Sequence, residues 1–170
     1  KKTAGAGAIV DIGVYNMHNA LYVMGYPKPV RVSAILADHL ARQDPKWDAM
    51  DVEEFGSAWV RFDNGGVMLF KISWAVHANS LGPTYFLGKQ AGVQFGGPTV
   101  FADSVADELK ALAASEGLTL DADPPEGMTT IRVSGHEPVD VWEQQMIAFR
   151  EAVRSGGPSP LPPEGVLLTN

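Results

Sequence analysis

The sequence contains no cysteine, which removes disulfides, thiolate nucleophiles and zinc–thiolate centres together. A reducing cytoplasm is compatible with that absence and is the expected compartment. Positive charge is scarce: 13 Lys+Arg against 20 Asp+Glu leave a formal net charge of −7. Such a balance gives phosphate backbones and anionic membrane surfaces nothing to hold, so neither nucleic acid nor membrane is an expected partner. No apolar run approaches the roughly 20 residues of a membrane-spanning helix, and there is no signal-peptide pattern. The histidines are four and scattered, His18, His39, His77 and His136, with neither His-x-x-His nor His-Glu-x-x-His spacing, so no metal site is expected. Gly-x-Ser-x-Gly, the turn that exposes a hydrolase serine, does not occur.

What remains is an ordinary globular composition: 170 residues, 45% hydrophobic and 19% charged. That length predicts one compact domain over residues 1–170. Apolar residues recur at Val10, Val14, Met17, Leu21 and Met24, spacings that predict a helix over residues 9–24 stopped by Gly25 and Pro27. Residues 30–37 read as a strand. Residues 55–62 and 67–74 flank Asp63-Asn64-Gly65-Gly66 and predict a hairpin whose Asn-Gly pair supplies positive φ angles. Both strands carry large apolar side chains on both faces, so something must cover each side.

Further on, residues 84–87 and 93–95 are short strand candidates. Residues 103–116 read as a helix with Val105, Leu109 and Leu112 inward. Residues 121–127 read as an acidic loop and 128–133 as a strand. Asp140-Val-Trp-Glu143 resembles a capping box, opening a last helix with Trp142, Met146, Phe149 and Val153 on one stripe. Most aromatic residues fall at core spacing. Helix, strands, then helix is an α+β order, predicting an open, mostly antiparallel sheet with helices packed on one face.

Two features invite a chemical reading. Gly5-Ala6-Gly7-Ala8 suggests a dinucleotide loop, but no strand precedes it and Val10 stands where a third glycine belongs. The plainer reading is a lead that lets the helix pack closely. Asp11, Tyr15 and His18 are the second feature, stacked by spacings of 4 and 3 on the stripe beside the apolar one. Here too a plainer alternative exists, in which Asp11 caps the helix and Tyr15 is a half-buried surface aromatic.

The run Ala4-Gly5-Ala6-Gly7-Ala8-Ile9-Val10-Asp11-Ile12-Gly13-Val14-Tyr15, followed by Leu21-Tyr22-Val23-Met24-Gly25, resembles the start of the C-terminal domain of the Gfo/Idh/MocA oxidoreductases. Val52-Glu53-Glu54-Phe55, Phe62-Asp63-Asn64-Gly65, Ile72-Ser73-Trp74 and Leu87-Gly88-Lys89-Gln90-Ala91-Gly92 follow in the family's order. The late helix and Pro162-Pro163-Glu164-Gly165 are similar to its last matched segments. The resemblance implies a substrate-binding and oligomerisation domain, preceded in family members by a Rossmann domain that binds NAD or NADP and supplies a catalytic lysine. On that expectation this chain is a piece of a longer NAD(P)-dependent dehydrogenase or reductase, lacks the end of the family pattern as well, holds no cofactor of its own and is inactive alone.

The same resemblance places Asp11 and Tyr15 at catalytic positions and His18 at a pocket-facing, substrate-binding position where aspartate is frequent. Many members have histidine at the position of Tyr15; tyrosine occurs in sugar oxidoreductases and dihydrodiol dehydrogenase-like members. It implies a sugar or polyol-like substrate and a homodimer or homotetramer formed through the open sheet face. A phenol keeps its proton at neutral pH, which suits a donor to a carbonyl oxygen, and a nearby lysine ammonium would favour its phenolate. A non-enzymatic sheet module for association or ligand binding is the alternative reading.

Overall fold

The computed structural model describes residues 5–39, 43–47, 50–95, 99–103, 105–123, 129–134, 139–159 and 163. The chain divides into two compact units, residues 1–81 with 145–170, and residues 82–144. In both units the sheets are antiparallel, and the fold is α+β.

The first unit opens with α1 (Ala8–Asp11) and α2 (Gly13–Val23), followed by β1 (Pro29–Ala37), a 3₁₀ turn at Pro45–Trp47, β2 (Phe55–Phe62) and β3 (Val67–Ser73). The expected single helix over residues 9–24 is thus two. Ile12, between them, keeps right-handed angles (φ −112°, ψ −26°) and donates its N–H to Ala8 O, so the path bends without leaving the helical region. The bend falls beside Gly13, which lies so close to the sheet that a Cβ there would stand 2.8 Å from Phe70 Cζ. Glycine both permits that approach and weakens the helix at this point.

The three strands pair in the order β1-β2-β3, and the register fixes the faces. Val60 lies opposite Val32 and Met68 on the side that α1 and α2 cover. Leu21, Val60 and Phe62 form the buried centre, ringed by Met17, Met24, Tyr26, Ala58 and Met68. Burying each large side chain there contributes about 1.5–3 kcal/mol. Trp59, opposite Ser33 and Leu69, points the other way. Ile35, Trp59, Val67 and Leu69 are all exposed on that outer face, 54% or more.

The hairpin turn is of a different kind from the one Asn-Gly predicts. Gly65 (φ +85°) is left-handed, Asn64 is not. Gly65 N–H donates to Phe62 O and Phe62 N–H to Gly66 O, so residues 63–65 form a type I turn closed by a left-handed glycine. Asn64 serves through its side chain, whose Oδ1 accepts from Gly66 N–H at 2.9 Å. Asp63 ties the turn to the chain leaving α2: its N–H donates to Lys28 O, and its Oδ1 accepts from Lys28 N–H.

The second unit holds β4 (Tyr85–Leu87), β5 (Ala91–Gln94), β6 (Thr99–Ala102), α3 (Asp107–Ser115), β7 (Thr119–Asp123) and β8 (Thr129–Ser134), paired β4-β5-β6-β8-β7. Ile131, fully buried, sits on β8 between β6 and β7, and α3 packs on β7 through its buried Ala113. Leu112, expected inward, is exposed, because the turn of α3 that meets the sheet is the one bearing Ala113. Residues 121–123, expected as loop, belong to β7, where Asp121 faces Arg132 across the strand pair and opposite charges offset a poor strand former. The other residues of that expected loop lie outside the described set.

The last helix, α4 (Val141–Ser155), starts where the capping pattern places it: Asp140 Oδ1 accepts from the N–H groups of Trp142 and Glu143. Its stripe of Trp142, Met146, Phe149 and Val153 is exposed throughout.

Candidate functional site

Gly7 ends the lead into α1 in van der Waals contact with Glu53, whose main chain and carboxylate occupy the space a Cβ would need. Ala8 N–H donates to Glu53 O at 3.0 Å, and Gly7 O accepts from Val10 and Asp11. The lead is therefore fixed by its glycine to the segment that enters β2, as close packing requires. A pyrophosphate fits poorly here: the N–H groups of Ala8, Val10 and Asp11 are engaged, and the Glu53 carboxylate stands beside them. Among the described residues no group of three His, Asp or Glu side chains is placed to hold a metal ion.

Asp11 closes α1. Its Oδ2 accepts from Trp74 Nε1–H at 3.1 Å, just past the end of β3. The cap of α2 falls on Ile12, with no side-chain hydrogen bond, so Asp11 does not act as a helix cap. Its carboxylate is held instead across the helix–sheet junction by an indole 63 residues away. Trp74 is anchored in turn by its own N–H, which donates to the main chain of Glu54, a buried carboxylate residue whose N–H donates to Ala37 O. Sequence alone placed Trp74 in a motif without linking it to Asp11, since nothing local connects them.

Tyr15, on the first turn of α2, is 69% exposed, and its hydroxyl makes no hydrogen bond to another described residue. His18, one turn later and half-buried, is paired: its Nε2 lies 3.1 Å from Tyr26 Oη. The two rings stand 5.7 Å apart, and Tyr22 meets Tyr26 edge-on at 6.2 Å. Hydrogen bonding thus separates the expected trio, with Asp11 on Trp74, His18 on Tyr26 and Tyr15 open to solvent.

Tyr26 is the second residue the spacing argument missed. α2 ends in a Schellman motif, with Gly25 N–H on Tyr22 O and Tyr26 N–H on Leu21 O. Gly25 has the expected positive φ of 77°, but Tyr26 is left-handed as well, at 55°. For a residue with a Cβ that conformation costs about 1–2 kcal/mol. An aromatic wedged between a helix-ending glycine and Pro27 was the available signal. In the second unit, Gly88, Lys89, Gln90 and Ala91 line a shallow, open hollow whose one charged group is Lys89.

Residues 1–94 match the family model described as the GFO/IDH/MocA C-terminal domain. A curated relative, D-glucoside 3-dehydrogenase of Escherichia coli (strain K12), is 26% identical in a 113-residue alignment that covers 61% of this chain and 32% of that protein. Among solved structures, aldose-aldose oxidoreductase from Caulobacter crescentus, crystallised with glycerol, superposes with a TM-score of 0.67 at 20% identity, over 98% of this chain and 43% of that one. UDP-N-acetylglucosamine 3-dehydrogenase from Acidithiobacillus ferrooxidans gives 0.66 at 14% identity, over 99% and 53%. An Agrobacterium radiobacter oxidoreductase solved with NAD+, L-tartaric acid and magnesium gives 0.59 at 15% identity, over 95% and 43%. At these identities the superpositions speak for the fold. The chain spans about a third to a half of the length of these relatives.

Proposed function

The chain belongs to the GFO/IDH/MocA C-terminal domain family, and from that premise we propose that it is the substrate-binding and subunit-association part of a longer NAD(P)-dependent oxidoreductase acting on a sugar or related polyol. The family is one of oxidoreductases, and the curated relative is a glucoside dehydrogenase. The observation that carries the reading is Tyr15, within the matched segment: an exposed phenol with no protein partner among the described residues, one turn after a carboxylate held by Trp74.

Oxidation or reduction at a sugar carbon moves a hydride and a proton. The nicotinamide supplies the hydride chemistry; because the glycine lead fits a pyrophosphate poorly, its binding is assigned to the remainder of the longer protein. This chain handles the proton. In reduction the Tyr15 O–H donates to the carbonyl oxygen as it gains negative charge; in oxidation the same oxygen, ionised to the phenolate, accepts the hydroxyl proton. Asp11, oriented by the indole N–H, retains lone pairs to accept hydrogen bonds from neighbouring sugar hydroxyls. His18 contributes a ring nitrogen to the same hydroxyl-rich ligand. By itself the chain does no redox chemistry.

In the longer oxidoreductase, Tyr15→Phe keeps the ring and loses the proton. General acid–base groups contribute about 10²–10⁴-fold, so kcat is expected to fall within that range while KM changes little. A correctly folded variant with parental kcat would remove Tyr15 from the mechanism. His18, on the same stripe, would then be the next candidate for the proton transfer.

A further inference from the structure

We infer that Tyr26 is a positioning residue: its phenol O–H donates to Nε2 of His18, fixing that imidazole as the Nδ1–H tautomer, so that Nδ1 offers an N–H donor to a hydroxyl-bearing ligand. For the ligand, though not for the tautomer, this rests on the sugar reading above.

The geometry is a half-buried contact of 3.1 Å with the rings tilted by 58°. Either group could donate in principle. A phenol, however, is a good donor and a poor acceptor, because its oxygen lone pair is shared with the ring. If Nε2–H donated, the phenolic proton would have no protein acceptor among the described residues. O–H to Nε2 satisfies both partners. The proton of a neutral imidazole then belongs on Nδ1, since the bond made by one ring nitrogen sets the state of the other. The His18 ring has no second hydrogen bond to a described residue, which leaves Nδ1 available to a ligand.

The backbone argues that this arrangement is imposed. A Schellman end requires one left-handed residue, and Gly25 supplies it. The left-handed Tyr26 that follows is an extra strain, of the sort that persists only where its surroundings over-determine it. Those surroundings are the His18 hydrogen bond, the Tyr22 ring edge and the buried cluster of Leu21, Val60 and Phe62 against which Tyr26 packs. His18 thus stands three residues beyond Tyr15 with its ring held at a fixed angle.

The full chain labelled with ¹⁵N-histidine tests this by long-range ¹H–¹⁵N spectroscopy at mildly alkaline pH, with His18→Gln identifying the signals. His18 is expected as the Nδ1–H form, and Tyr26→Phe is expected to return it to the Nε2–H form that free imidazoles prefer, while His39, His77 and His136 stay unchanged. An Nε2–H form in the unmodified chain overturns the inference, whether or not the variant folds. So does a tautomer that survives Tyr26→Phe. Titration with methyl β-D-glucoside is expected to move the His18 signals, and to need about three- to tenfold more sugar in the variant, the effect of one neutral hydrogen bond. Equal affinity in the two proteins overturns the ligand half. A tautomer switch with no sugar-induced shift upholds the positioning role and counts against the sugar reading alone.

Discussion

Gly13 shows how much of this site depends on single atoms. A Cβ there would press on the ring of Phe70, which is buried, while Ala8 O and Ile72 Cγ2 close the other sides at 3.4 Å. Gly13→Ala gains about 1 kcal/mol of helix propensity and costs about 1–3 kcal/mol of overpacking. The expected net is a loss of about 1 kcal/mol, a Tm lower by about 2–4 °C. A raised Tm in a thermal melt would mean that the Phe70 ring gives way freely. Residue-scale chemistry of this kind is only partly legible in a sequence. The run from Asp11 to Tyr15 and His18 could be picked out by spacing, but what each side chain bonds to could not. Trp74 reaches Asp11 across 63 residues, and Tyr26 reaches His18 only because of a left-handed angle that local propensity argues against.

At the scale of elements, patterns with a strong period could be read and those carried by pairing could not. The hairpin strands, the first strand and the capped last helix follow from alternation, turn glycines and Asp140. By contrast β6 is four residues long and β7 carries two aspartates; both exist because β8 pairs with each of them. Helix α3 begins with Asp107 and Glu108, the sign of charge that a helix N-terminus favours. The Lys110 ammonium donates to the Asp107 carboxylate at 2.9 Å, and this bond, with the attraction of the two charges, holds that carboxyl below the usual carboxylate range. A lowered carboxyl stabilises the folded form above its unfolded titration range, and that help disappears as pH falls through the folded value. Because the pair is exposed, salt should screen it. In an NMR titration Asp107 is expected to protonate at lower pH than in Lys110→Met, with the gap narrowing at high ionic strength. Identical midpoints would show that the pair does not persist in solution.

For the molecule as a whole, the outer face of the three-stranded sheet is the feature most at odds with a solitary chain. Ile35, Trp59, Val67 and Leu69 stand exposed on it among Arg31, Arg61 and Lys71, and large exposed apolar side chains rimmed by charge are the composition of an association surface. On the proposed reading it meets a second copy. Trp59→Lys is then expected to shift sedimentation at micromolar concentration from a dimer or tetramer to the 18.2 kDa monomer with the fold intact. An unmodified chain that already sediments as a monomer would refute the association. Which apolar set faces outward is decided by residues 63–65. Strand side chains alternate with a period of two, so one residue added to or lost from that turn would slide β3 by one place against β2. With one residue added, Phe70 would surface where Lys71 now lies, and Leu69 would press on Gly13. The Asp63–Lys28 bonds and the Asn64 side chain lock the turn at its present length. In evolutionary terms this corner is constrained in length before anything else, because an insertion there would turn the sheet inside out.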